Sequence, residues 1–261
     1  VERERDPLQG VFTGWGRDVA VAGAFLTRLP FRPRGTVTMA DLGPAARAFP
    51  LIGLLVGGLA GGALWVAGRF DLHPLACAVI GLAVGTWLTG ALHEDGLADF
   101  ADGIGAAERA RRLEIMRDSR IGSFGVLALI FSVGLKAALL AGFLGPGLAA
   151  AALMAAAGVS RGAVVLIMAR LAPARSDGLG HGASKPDGAA TLTALALSIL
   201  IAFLLLDWQP AIWAIVLALC AVGMIGWLAR RRLGGYTGDV LGAAQQAAEI
   251  AVLLAAGAFA A

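Results

Sequence analysis

The sequence predicts an all-α protein, a polytopic transmembrane helical bundle of about seven spans preceded by an N-terminal interfacial helix. Three observations predict it. Hydrophobic residues make up 58% of the 261-residue chain and the mean hydropathy is +0.79, too apolar for a water-exposed domain. Seven windows are long and apolar enough to cross about 30 Å of hydrocarbon as helices. The 21 lysines and arginines also segregate into alternate loops, as short basic loops do when they are retained on the cytoplasmic side.

The windows run from about Phe49–Ala67, Pro74–Leu92, Gly122–Phe143 and Leu148–Met168 to Ala190–Leu206, Ala211–Leu228 and Val240–Ala260. Ahead of them Val19–Leu29 is apolar but short, and Arg28, Pro30, Arg32 and Pro33 interrupt it, so an interfacial or re-entrant helix is expected there. Trp208, Trp213 and Trp227 fall near span ends, where indole rings favour the headgroup level. All the basic residues except Arg69, Lys136 and Arg161 lie before the first span or in the loops after the second, fourth and sixth. The N-terminus and those loops are therefore expected in the cytoplasm and the C-terminus outside. The whole chain, 1–261, reads as a single integral-membrane domain.

This topology accounts for the formal charge of +3 and the pI near 9.4. No basic stripe is interleaved with aromatic residues, which excludes a nucleic-acid partner. Cys77 and Cys220 stand in apolar runs without a second thiol or histidine at ligand spacing, so neither a disulfide framework nor a zinc site is expected. Val1 to Trp15 mixes charges of both signs and lacks the apolar core of a cleaved signal peptide. The 37 glycines, dense in the first span, are read as helix-packing residues without chemistry.

Chemistry concentrates at the end of the second window, in His93-Glu94-Asp95-Gly96-Leu97-Ala98-Asp99-Phe100-Ala101-Asp102-Gly103. At about 100° per residue, Asp95, Asp99 and Asp102 share one helical face. Like charges at this spacing repel, and at a helix C-terminus they also oppose the macrodipole. A compensating cation is therefore expected, either the arginines of the next loop or a hard divalent ion such as Mg²⁺, which oxygen-only ligands favour. Ala106 to Met116 then reads as an amphipathic surface helix. Arg117-Asp118-Ser119-Arg120 opens the third span, with Asp118 or Ser119 as its N-cap and two arginines beside an anion-binding helix end. Gly178 to Pro186, with Lys185, forms a glycine-rich loop able to cover phosphates. Thr237 or Asp239 is expected to cap the last span. Lys136 and Arg161 fall inside spans, where a charge costs about 2.5–3.5 kcal/mol on insertion scales, so each should face the interior and pair with an acid or a substrate phosphate. Glu249 is a candidate partner, and snorkelling is the simpler account of Lys136.

The string HEDGLADFADG followed by ERARRLEIMRDSRIGSFGVLAL resembles the central motif of the cobalamin synthases, the adenosylcobinamide-GDP ribazoletransferase family. FLTRLP from Phe25, FPLIG from Phe49, Ser160-Arg161, Ala174-Arg175 with Gly178, and GGYTGDVLGA from Gly234 extend the resemblance over nearly the whole chain. It implies a Mg²⁺-dependent enzyme that joins α-ribazole, or its 5′-phosphate, to adenosylcobinamide-GDP and releases GMP. In that reading Asp95, Asp99, Asp102 and Asp118 hold metal and carry catalysis, with Asp118 as the first choice for proton acceptor. Arg117, Ser119, Arg120, Arg161, Lys136, Thr237 and Asp239 contact substrate. The implied partners are the two substrates and the bilayer, and the oligomeric state is open. Two other readings are weighed. A CDP-alcohol phosphotransferase also uses an acidic helical motif in a membrane, but its arginine soon after the Asp-Gly pair and its later paired aspartates have no equivalents here. An ion-coupled transporter would place acids at mid-bilayer and show an internal repeat, and neither is seen.

Overall fold

The computed structural model describes residues 7–143, 145–176 and 182–259. The described residues form helices and their connections, with one isolated parallel bridge between Pro173 and Tyr236 and no sheet. Helix α1 spans Pro7–Leu26, and three short helical turns between Met39 and Ala48 lead into α2, Phe49–Gly68. There follow α3 (Pro74–Thr89), α4 (Leu92–Ile104), α5 (Arg109–Ile115) and α6 (Ser123–Ala141). After them come α7 (Pro146–Ala163), α8 (Val165–Arg170), α9 (Gly188–Leu205), α10 (Trp208–Leu233) and α11 (Gly238–Ala258). Six segments are long and apolar enough to cross a membrane, and α3 with α4 passes the same test as a pair bent by 90°. That agrees with about seven crossings and identifies a multi-pass membrane protein.

Two sequence expectations need correction. The N-terminal helix begins earlier than Val19 and ends at Leu26, and ion pairs fasten it to the turns ahead of α2. Arg17 donates to Asp41 at 2.7 Å, and Arg47 donates to the buried Asp18 at 2.6 Å while its guanidinium lies 4.4 Å from the Trp15 ring centre. The second window does not continue to Leu92. Gly90 (φ 66°) and Ala91 (φ 59°) are both left-handed, which ends α3 and turns the chain through a right angle into α4. Apolar composition continues across this break, so hydropathy cannot reveal it.

Helices α7 and α11 are the most enclosed and form the centre of the bundle. A Cβ on Gly57 would lie 2.7 Å from the Met154 Cα, so the bare backbone of α2 is what lets α7 approach so closely. Inside the bundle Lys136 neither snorkels nor stands alone. Its ammonium donates to Gln246 at 2.8 Å and to Glu249 at 3.0 Å, and Ser132 donates to the same Gln246 oxygen. The Gln246 amide donates to Glu94 and to Gln245, whose own amide donates to Ser160. In this setting an unmade hydrogen bond is expensive, so the network fixes the rotation of α11 against α4, α6 and α7.

Candidate active site

The site forms where α4 crosses the first turn of α11. Gly96 and Gly242 make the crossing possible: a Cβ on Gly96 would lie 3.0 Å from the Asp239 Cα, and one on Gly242 would lie 3.0 Å from both the Gly96 Cα and the His93 carbonyl oxygen. Backbone against backbone, the two helices bring Asp95 and Asp99 beside Asp239. Helix α4 turns at a right angle from α3 and lies over the N-terminal turns of α6 and α11. There burial, then the charges of Asp95, Asp239 and Asp102, push the Asp99 carboxyl up to about 7, and Arg175 only partly offsets them. Carboxylates gathered in this way lack sufficient compensating charge.

Asp239 is held in place by one neighbour close in sequence and one far from it. It accepts from Thr237 Oγ1 at 3.0 Å and from Arg175 Nη2 at 3.3 Å. Thr237 in turn caps α11 by accepting from the Val240 amide, as expected of one of the two candidates. Arg175 and Tyr236 are brought alongside by backbone pairing: Ala174 N donates to Tyr236 O, and Tyr236 N donates to Ala172 O. Arg109 of α5 ties both limbs together, with Nε on the Leu233 carbonyl at 2.6 Å and Nη2 on the Ala174 carbonyl at 2.9 Å. Neighbouring Arg112 holds the Arg232 carbonyl at 3.0 Å. The sequence identifies α5 as amphipathic but gives no sign that its arginines are clamps.

The other expected residues are distributed as follows. Asp102 lies one turn beyond Asp99, but both its oxygens are engaged, accepting from Gly122 N at 2.7 Å and Gly125 N at 2.8 Å. It therefore caps α6 from another helix, in the place where Asp118 or Ser119 was expected to act. Residue Gly122 is the N-cap position and no side chain of its own closes it. Asp118 points back to Arg120, accepting from its side chain at 2.7 Å and from its amide at 3.1 Å. These bonds hold the Asp118 carboxyl down at about 2. Arg117, Ser119 and Arg120 are exposed on the same loop, at the end of α6 that Asp102 caps. Lys136 belongs to the interior network. Gly178 to His181 of the expected phosphate loop lie outside the described residues.

A cleft with about 820 Å³ of atom-free space, its open mouth included, borders Asp95, Gly96, Asp239 and Gly242. Arg161 also borders it, 3% exposed, with Nη1 donating to the carbonyl of Ala157 and Nε without a hydrogen-bond partner. Arg161 also lines a smaller interior cavity with Glu94, Lys136, Gln246 and Glu249, so it stands between the cleft and the buried network. Among the described residues no group of three or more His, Cys, Asp or Glu side chains is placed to hold a metal ion by itself.

The class is thus a polytopic membrane protein whose carboxylates, buried arginine and cleft meet where α4 packs on the start of α11. The family description for cobalamin-5-phosphate synthase matches residues 18–257. An adenosylcobinamide-GDP ribazoletransferase of Rhizobium etli (strain CIAT 652) is 45% identical over 248 residues, covering 91% of this chain and 95% of the relative. The protein of that name from Bradyrhizobium diazoefficiens is 43% identical over 244 residues, 93% and 94% of the two chains, and that from Azorhizobium caulinodans is 45% identical over 249 residues, 91% and 94%. The chain belongs to the cobalamin-5-phosphate synthase family. No solved structure matches it.

Proposed function

We propose that the protein transfers the adenosylcobinamide phosphate group of adenosylcobinamide-GDP to α-ribazole or its 5′-phosphate and releases GMP, using Mg²⁺ at the acidic mouth of the cleft. The bundle lies in the bacterial inner membrane with the N-terminus, the basic loops and the cleft toward the cytoplasm. One observation carries the reading: the crossing of α4 over α11 gathers Asp95, Asp99 and Asp239 beside a cleft that the buried Arg161 borders.

The donor set fits a hard divalent cation, being all oxygen and short of positive charge. Because the carboxylates do not form a closed cage, water and phosphate oxygens would complete the shell, as is usual for Mg²⁺. Asp95 and Asp99, with Asp239, would hold the ion, which when bound supplies charge neutralisation at the diphosphate. In the reaction a ribose hydroxyl oxygen of the acceptor bonds to the phosphorus on the corrinoid side. The bond from that phosphorus to the bridging oxygen breaks, and the bridging oxygen departs with GMP. Arg161 faces the transferring phosphoryl group with a guanidinium already stripped of water, which raises its electrostatic effect. The hydroxyl proton goes to a carboxylate at the cleft mouth. Asp118 is unsuited to that role, since a carboxyl held near 2 is a weak base. It instead orients Arg120, which with Arg117 and Ser119 receives the outer phosphate of the donor.

The test uses purified protein in nanodiscs, supplied with adenosylcobinamide-GDP and α-ribazole 5′-phosphate. GMP and a corrinoid product should appear in equal amounts and only with Mg²⁺. Asp95→Asn should lose turnover by about 100-fold or more while keeping its unfolding temperature. Wild-type turnover in that variant, or in excess chelator, would overturn the assignment.

A further inference from the structure

We propose that the cleft seats the azole base of the acceptor and that its wholly apolar wall selects that base over guanine; this rests on the transferase reading above. The wall built from residues 25–49 contributes Phe25, Leu26, Leu42 and Phe49, none of which carries a side-chain hydrogen-bonding group. Phe25 and Phe49 lie ring to ring, 6.4 Å between centres and 22° from parallel, which makes part of the wall aromatic. Met168 and Val164 extend it from the α7–α8 junction. The polar groups of the cleft come from elsewhere: His93 and Asp95 from α4, Arg161 from α7, Asp239 from α11 and Tyr236 from the segment just ahead of it.

Three bulky groups compete for this space: the corrin ring, guanine and the azole. Even with the open mouth counted, the atom-free space of about 820 Å³ is too small for a corrin ring carrying its amide arms and adenosyl group. Guanine is flat and of suitable size, yet its edge presents several donors and acceptors. Stacked on this wall, guanine would need a partner for each of those groups, the four apolar side chains supply none, and each unmade hydrogen bond opposes binding. The azole of ribazole offers a fused apolar ring and one free ring nitrogen, so its burial on the same wall is favourable. This is discrimination by desolvation, and it orients the acceptor. With its base on the Phe25–Phe49 wall, the attached ribose is directed to the side that carries Arg161, Asp95 and Asp239.

The test is equilibrium binding to the full-length protein in nanodiscs, in chelator so that no turnover occurs, with α-ribazole 5′-phosphate and adenosylcobinamide-GDP titrated separately. Ala183→Phe fills the cleft from a loop position, and Phe25→Leu keeps the wall apolar but removes a ring. Ala183→Phe should weaken ribazole phosphate by about tenfold, and Phe25→Leu should weaken it by about threefold. Adenosylcobinamide-GDP should keep its affinity for both, and GMP should not displace the riboside. Unchanged riboside affinity in both variants, a loss confined to adenosylcobinamide-GDP, or displacement by GMP would each overturn the assignment. Wild-type protein that binds the riboside as described but releases no GMP with Mg²⁺ would overturn the transferase reading and leave the base site standing.

Discussion

Adding one methyl group at Gly242 tests the crossing on which the site depends. The new Cβ would lie 3.0 Å from the Gly96 Cα, 3.0 Å from the His93 carbonyl oxygen and 3.3 Å from the His93 Cα. All three are backbone atoms, so no rotamer change relieves the contact. Restoring ordinary van der Waals spacing needs α4 and α11 to separate by about half an ångström. Overpacking of this kind costs about 1–3 kcal/mol, and the better helix propensity of alanine returns up to about 1 kcal/mol. Gly242→Ala should therefore lower stability by about 1 kcal/mol. Its effect on turnover should be larger, because Asp239 moves relative to Asp95 and Asp99. A 1 Å misplacement costs about 100-fold, so half of that predicts about a tenfold fall in kcat. The control is Gly62→Ala, where the added Cβ meets nothing within 4 Å. GMP release and thermal unfolding in nanodiscs would be measured on both variants. Wild-type kcat and Tm in Gly242→Ala would refute the claim that this contact sets the carboxylate geometry.

Three further predictions follow from named contacts. Lys136→Met or Glu249→Gln alone leaves a buried partner uncompensated and should cost about 3–5 kcal/mol, whereas the double variant should recover much of that loss in thermal unfolding. Asp102→Ala removes the acceptor for two amides of α6 and should destabilise by about 1–2 kcal/mol; Asp102→Asn should keep Mg²⁺ affinity in titration calorimetry, and a large loss would return Asp102 to the metal shell. Arg109→Ala removes two charge-assisted bonds that join the limbs bearing Arg175 and Asp239. It should lower kcat with little change in either KM and speed proteolysis near Leu233, while unchanged kcat would refute its positioning role.

Much of the bundle was legible in the sequence because span number follows from hydropathy, which depends on composition. The alternation of basic loops and the face shared by Asp95 and Asp99 follow equally from local periodicity. What the sequence hid was set by contacts between distant residues. Nothing local says that Asp102 will close a helix starting twenty residues later, so its carboxylate reads as one more ligand in an acidic row. Arg175 and Asp239 lie 64 positions apart and meet only because Ala172–Ala174 pairs with Tyr236. The break after Thr89 is a matter of φ at Gly90 and Ala91, to which hydropathy is blind. One missed feature did leave a signal. Gln245, Gln246 and Glu249 cluster on an otherwise apolar span, and three polar side chains within five residues at that depth need partners on neighbouring helices.

The distribution of charge is the strongest argument that the cleft mouth is built for a ligand rather than for stability. Within the bundle the formal charges are matched: Lys136 contacts Glu249, and Arg161 lies within the field of both Glu249 and Glu94. Had the acids of α4 and α11 served only to hold helices together, the same matching would be expected of them. Instead Asp95, Asp99 and Asp239 share Arg175, whose single charge leaves Asp99 still destabilised as a carboxylate. Asp102 gives no relief, since its oxygens are committed to the amides of α6. The deficit therefore lies beside the cleft, which Asp95 and Asp239 border. A divalent cation would remove it, and would in turn give a diphosphate reason to bind where the carboxylates alone would repel it.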